Sequence, residues 1–322
     1  MFSFSIGNEI KERTSFKSAL RLEKLDELDR LWALYKEGAF PYTRQQRECD
    51  IYDVESPSVV DWMITNNFLP PLVLLSQLVT YNFPTYEYYR DCTNIIEHTV
   101  QKIDNPPEKV WSTIVTSALH SNNTTVLDWV LTQGVEIGSY ITDETINYLV
   151  SAQEINHDND DITSTQVLKY LHDKGVIEFT RDTLDTAISI GKNEATIRLI
   201  ISSNPNTVCQ ATAHLLVQCS IWNQAIWRYV LSTGKVTLSK QFLNNMIDRA
   251  DYQFDGRIFI EFGANFDEEQ AIIAILRHKD HVLTNLITRC GLEASQRLQE
   301  IIYKNGNTTM IDTWKRIKKS KF

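Results

Sequence analysis

The sequence predicts an all-α solenoid of about eight to nine stacked helix-turn-helix units. Three observations carry that prediction. A nine-residue pattern of apolar and polar places recurs eight times along the 322 residues, closing each time on Gly or Asn. Successive copies in the second half stand 28 to 30 residues apart. A second, weaker helical segment precedes several of them, as two-helix units require. A recurring period of this size is the mark of a repeat array.

In chain order the windows are "RLWALYKEG" ending at Gly38, "VVDWMITNN" at Asn67, "VLDWVLTQG" at Gly134 and "VLKYLHDKG" at Gly175. "TIRLIISSN" ends at Asn204, "IWRYVLSTG" at Gly234, "DGRIFIEFG" at Gly263 and "LTNLITRCG" at Gly291. Apolar side chains favour places one, two, four, five and six. Trp62, Trp129, Tyr170, Leu199, Tyr229, Ile258 and Leu286 all take the fourth place. The last place predicts a left-handed residue that ends the helix, because Gly and Asn adopt that conformation most easily. From Gly134 to Gly175 the step is 41 residues, which points to an insertion; from Asn67 to Gly134 it is 67, room for a further, poorly marked unit.

The segments "STIVTSALHSNN", "TLDTAISIGKN", "HLLVQCSIWN" and "EEQAIIAILRHKD" each precede a window and carry apolar residues three and four apart, hence one buried helical face. Each unit is then two short antiparallel helices. One such hairpin cannot cover its own apolar sides, so neighbours must cover them. The whole chain reads as one array: an N-terminal cap (1–17), weakly marked units (18–108), clearer units (109–292) with an insertion near 154–166, and a C-terminal cap with a basic tail (293–322).

The net charge of −9 argues against a broad nucleic-acid surface, which needs clustered cations. Five scattered cysteines (Cys49, Cys92, Cys209, Cys219, Cys290) form no CxxC pair, which fits a reducing compartment. "MFSFSIGNEIKERTSF" offers no continuous apolar signal segment, and "LPPLVLLSQLV" at 69–79 is too short to span a bilayer. The expectation is a cytoplasmic protein without membrane association.

These units resemble ankyrin repeats of a divergent kind. Val115, Ala118, Val126, Leu127, Val130, Leu131 and Gly134 match that family's spacing of core positions without a gap. Leu184, Ala187 and Gly191 match again in a later unit, and Ile197, Ile200, Ile201 and Asn204 follow with one extra residue. "GANFD" at 263–267 is similar to the family's loop, and "GAF" at 38–40 echoes it. The T-P-L-H start of the family is missing from every unit, and the short period implies β-hairpin fingers that are short or absent. Repeats this worn, in an Asn- and Ile-rich chain, are similar to the degenerate ankyrin proteins of large DNA viruses. That resemblance implies a role in holding a host-cell protein. A helix-hairpin solenoid outside the family would give the same windows.

Several irregularities are candidates for function. "EINHDNDDITSTQ" (154–166) is an acidic insertion; Asp158, Asp160 and Asp161 lack the alternation, glycine turn and distant Glu of a calcium loop, so a solvated loop or a partner contact is expected. "YNFPTYEYYRD" (81–91) gathers aromatics, with Tyr86, Tyr88, Tyr89 and Arg90 as candidate partner-binding residues or as filling for the poorly marked unit. "HKDH" places His278 and His281 three apart on an expected helix, without a third ligand, so no metal site is expected. The basic tail, Lys315, Arg316, Lys318, Lys319 and Lys321, reads as a polar cap first and as a contact for an acidic partner second.

No GxSxG, HExxH, Walker loop or glycine-rich dinucleotide turn is present, and no cofactor is expected. The leading reading is a non-enzymatic protein-interaction module that presents a concave face and loops to a partner protein, the acidic balance favouring a basic one. The alternative is a structural scaffold that assembles with itself or with related solenoids. A third reading, an enzyme, requires ionisable groups from several units to meet in one cleft.

Overall fold

A computed structural model of the chain describes residues 16–39, 42–51, 54, 56–80, 92–151, 164–191, 193–293 and 295–321. These residues are predominantly α-helical, with no strand among them. The chain divides into two compact units, Met1–Leu149 with Ile155–Ile177, and Glu178–Phe322 with Val150–Glu154.

The first unit contains α1 (16–21), α2 (Leu25–Lys36), α3 (Arg44–Asp50), α4 (Pro57–Thr65), α5 (Pro71–Thr80), α6 (Thr93–Lys102), α7 (Pro107–His120), α8 (Thr124–Thr132), most of α9 (Asp143–Ser151) and α10 (Ser164–Asp173). The second contains α11 (Arg181–Thr186), α12 (Glu194–Ser203), α13 (Gln210–Gln218), α14 (Gln224–Ser232), α15 (Lys240–Arg249), α16 (Gly256–Glu261), α17 (Glu268–Leu276), α18 (Asp280–Thr288), α19 (Gln296–Asn305) and α20 (Thr308–Lys321). All eight windows fall on helices, the even-numbered ones from α2 to α18 except α6. That helix is the poorly marked one. It ends at an extended Ile103 rather than a left-handed glycine, with Pro106 and Pro107 close behind.

Packing follows the repeat. Within the first unit α4 lies against α6, and α5 against both α6 and α7. Within the second, α13, α15, α17 and α19 form one row while α12, α14 and α16 form another, and α20 lies on both α18 and α19. Helices such as α5 and α17 thus touch both their partner and their counterpart in the next repeat, the arrangement expected of a helical solenoid. Places one, two and five of most windows face the core: Val126, Leu127 and Val130 in α8, Ile226, Trp227 and Val230 in α14; in α2 place one is the exposed Arg30. Asparagines three residues ahead of the first place (Asn123, Asn193, Asn223) accept backbone N–H groups at the starts of α8, α12 and α14.

Two expectations need correction. Seven of the eight closing residues are left-handed, with φ from 51° at Asn67 to 89° at Gly263, but Asn204 has φ −142°. Pro205 follows it, and the residue before a proline is pushed to extended backbone. Asn204 instead caps the short 3₁₀ turn Pro205–Thr207 and donates its amide to Phe179 O at 2.9 Å. The fourth place is not uniformly core either. Trp62, Ile258 and Leu286 are buried, whereas Trp129, Tyr170, Leu199 and Tyr229 are half-buried. That place lies at the side of the helix, where aromatic rings cover the seam to a neighbour and keep one edge in water.

Candidate interaction surface

The third place interrupts the apolar pattern with a charged side chain in six of the eight windows. In the first unit it is Asp61 on α4, half-buried, with Glu97 on α6 (counting back from Ile103) and Asp128 on α8, both exposed. In the second unit it is Arg198 on α12, Arg228 on α14 and Arg257 on α16, all exposed. Lys169 on α10, also in the first unit, is exposed and basic, whereas Trp32 on α2 and Asn285 on α18 are uncharged and buried. Three successive even-numbered helices of each unit thus carry a like charge at the third place, acidic on α4, α6 and α8 and basic on α12, α14 and α16.

Many of these side chains reach to the neighbouring repeat. Asp61 accepts from His98 Nε2 at 2.9 Å and pairs with Lys102 at 3.6 Å. Asp128 accepts from Tyr170 Oη at 2.9 Å and Lys174 Nζ at 2.8 Å. Partial burial raises the Asp128 carboxyl and those two donors lower it, leaving it below its ordinary value. Arg198 donates to Tyr229 Oη at 2.7 Å and lies 4.7 Å from the centre of that ring. Arg228 makes a two-pronged pair with Glu261, one contact at 2.9 Å. Half-exposed pairs of this kind contribute little to stability and exchange partners readily.

The second unit also holds a groove of about 520 Å³ lined by, among others, Gln224, Tyr252, Asp255, His281, Arg289 and Arg316. Asp255 is its buried charge, 5 % exposed. The carboxylate caps α16 through Arg257 N, takes two bonds from the Arg257 guanidinium near 3.0 Å and pairs with Arg289 at 3.3 Å. Those bonds, the Arg257 guanidinium foremost, hold it below its ordinary pKa despite burial. At the rim Tyr252 is 77 % exposed, an aromatic of the kind that anchors interfaces.

A depressed folded pKa stabilises the fold above the unfolded carboxylate range and loses that contribution as pH falls through the folded value. Asp255→Asn keeps the cap and loses the charge; it is expected to cost about 1 kcal/mol near neutral pH, since both guanidinium partners stay half-exposed. Asp255→Ala also loses the cap, bringing the cost to about 2 kcal/mol. Urea melts across pH should show wild type and Asp255→Asn converging in acid while Asp255→Ala stays below both.

The sequence-predicted site residues Tyr86, Tyr88, Tyr89 and Arg90, with Asp158, Asp160 and Asp161, lie outside the described residues. The final three residues of the expected insertion, 164–166, belong to α10. The His278/His281 pair needs correction: His278 sits in the turn between α17 and α18 with φ 53°, and only His281 is helical. The turn separates them because the chain reverses there. Among the described residues no group of three or more His, Cys, Asp or Glu is placed to hold a metal ion, and no helix is long and apolar enough to cross a membrane.

The thiols divide by environment. Burial pushes Cys290 up to about 12. Partial burial raises Cys209 too, but bonds from Thr212 outweigh it and leave that thiol below its ordinary value. His214, near Cys209 in sequence, turns its ring edge-on to Phe242 at 5.1 Å. The basic tail forms α20, with Met310, Trp314 and Ile317 buried and Lys315, Arg316 and Lys318 exposed. No family model and no curated protein matches this chain.

Proposed function

We propose that the chain is a non-enzymatic, ankyrin-like interaction scaffold whose first unit holds a basic protein partner on the acid row Asp61, Glu97 and Asp128. The observation that carries this reading is the placement of those acids at the same place of three successive even-numbered helices, half-buried at Asp61 and exposed at Glu97 and Asp128, on helices packed against their neighbours. Rigid elements present charge without an ordering cost at the moment of binding. Composition supports the same sign. The first unit has 14 Lys and Arg against 25 Asp and Glu, the second 18 against 16. Between Lys109 and Lys169 the sequence has eight acids and no Lys or Arg. Such a field raises the association rate of a basic partner more than it raises raw affinity.

The test is capture from cell extract on immobilised wild-type chain and on the variant Asp61→Lys/Glu97→Lys/Asp128→Lys, with circular dichroism confirming equal helicity. Proteins retained by wild type and lost by the variant are the expected result. An identical retained set on both would sink the reading.

A further inference from the structure

We propose that the basic partner of the acid row is a second copy of this chain, which offers the arginine row of its second unit: Arg198, Arg228 and Arg257. This rests on the interaction-surface reading above and names its partner.

The argument is one of register as well as sign. Both rows occupy the third place of successive even-numbered helices, α4, α6 and α8 against α12, α14 and α16. Neighbouring packed helices lie about 8–10 Å apart, so the pitch of each row is fixed by the same packing distance. At a matching pitch, the acid row of one copy laid along the arginine row of a second meets opposite charges at three successive repeats rather than at one. The sign of the rows matches the partition of charge between the two units, the first being net acidic (14 Lys and Arg against 25 Asp and Glu) and the second slightly basic (18 against 16).

The charges already have neighbours within their own unit, and those pairs set the terms of docking. The Arg198–Glu194 pair, at 3.5 Å, and the Arg228–Glu261 pair are half-exposed on both sides. Such pairs contribute little where they stand. On contact, the guanidiniums swing from these carboxylates to those of the second copy. Arg257 differs, because buried Asp255 holds it by two nitrogens. It stays in place as the fixed rung, with its remaining N–H groups free to donate outward. A guanidinium suits this use, since its five donors serve two carboxylates at once.

Because the two rows are different surfaces, each copy that uses one row still carries the other. Association is then not limited by consumption of a single patch, and it weakens as salt screens the rows.

Sedimentation velocity of the full chain at low and high ionic strength tests this. Three proteins are compared: wild type, the acid-row reversal Asp61→Lys/Glu97→Lys/Asp128→Lys, and the arginine-row reversal Arg198→Glu/Arg228→Glu. Arg257 is left unchanged in the last, since its loss would strand buried Asp255 and report on folding instead. Wild type should gain mass with concentration at low salt and revert to monomer at high salt. Each reversal alone should lose the heavier species. An equimolar mixture of the two reversals should regain them, because the lysine row of one then meets the glutamates of the other. That recovery also shows that both variants are folded.

Wild type that stays monomeric at low salt, or heavier species that survive both reversals, would overturn the proposal. If wild type is monomeric while the acid-row reversal still loses a retained basic protein in the capture experiment, self-association fails and the scaffold reading stands. If it is monomeric and capture is also unchanged, both fall.

Discussion

Trp227→Ala should destabilise the second unit by about 3–5 kcal/mol, the range for emptying a buried aromatic site. Trp227 is 1 % exposed and sits at the second place of its window on α14. Its ring meets Phe259 at 4.9 Å and 65° and Trp222 at 6.3 Å, and it lies 6.5 Å from Phe242, so one truncation strips packing from α15 and α16 together. The indole Nε1 also donates to Ile221 O at 2.8 Å, a carbonyl in the turn between α13 and α14. Trp227→Phe should recover much of the packing but leave the carbonyl unpaired, and so fall between the two. Trp129→Ala is the comparison. Its ring is half-buried, with Trp111 at 5.7 Å as its aromatic neighbour, so a cost of about 1–2 kcal/mol is expected from partial area loss. Urea unfolding followed by circular dichroism checks the ranking; equal costs for the two tryptophans would refute it.

The ranking shows what the sequence could convey. The period was legible because burial at places one, two and five follows from helix geometry, and apolar residues hold most of these positions; Asp255, buried at place one, is an exception. The closing glycines were legible because a reversal at that point needs positive φ, and Gly234 and Gly291 supply it at 67° and 75°. Asn204 was misjudged because one neighbour, Pro205, overrides the conformational preference of the residue before it. Trp129 at the fourth place is only half-buried, and hydropathy does not convey this, since it ranks a side chain by type while burial depends on how closely the adjoining repeat approaches.

The interaction surface was harder to read for a related reason. The charged third place looked like a gap in an apolar pattern; its meaning comes only from lining up windows whose residues lie far apart in sequence. The groove is less legible still. Gln224, Asp255, Arg289 and Arg316 come from four helices and their caps, and no local spacing links them. Asp255 did carry one signal, an acid directly before Gly256 at a helix start, where an N-cap is expected. Its burial by the arginines of its own and the next repeat is a property of stacking, which a single window cannot encode.

In the first unit the corresponding large effect belongs to Phe68, whose replacement by Ala should also cost about 3–5 kcal/mol. Phe68 follows the left-handed Asn67 that ends α4, and the reversal there drives the ring inward to full burial. Around it stand Trp32 at 5.4 Å, Phe16 at 5.6 Å, Trp62 at 5.7 Å and Tyr42 at 6.1 Å, so rings from α1, α2 and α4 meet on it. The Arg47 guanidinium of α3 lies 5.9 Å from the same ring and within 5.7 Å of the Trp32 and Tyr35 rings. Its buried Nε has no hydrogen-bond partner, so the faces of these rings are what offsets its desolvation. Phe68→Ala therefore removes packing and part of the support of a cation in one step. Phe68→Leu keeps apolar volume but loses the ring face, and should retain more than half of the stability that the Ala variant loses. Hydrogen exchange offers the sharper check, because amides of α2 and α4 should lose protection in the Ala variant before those of α13 and α15. Uniform loss across both units, or none in α2 and α4, would show that this aromatic cluster does not hold the first repeats together.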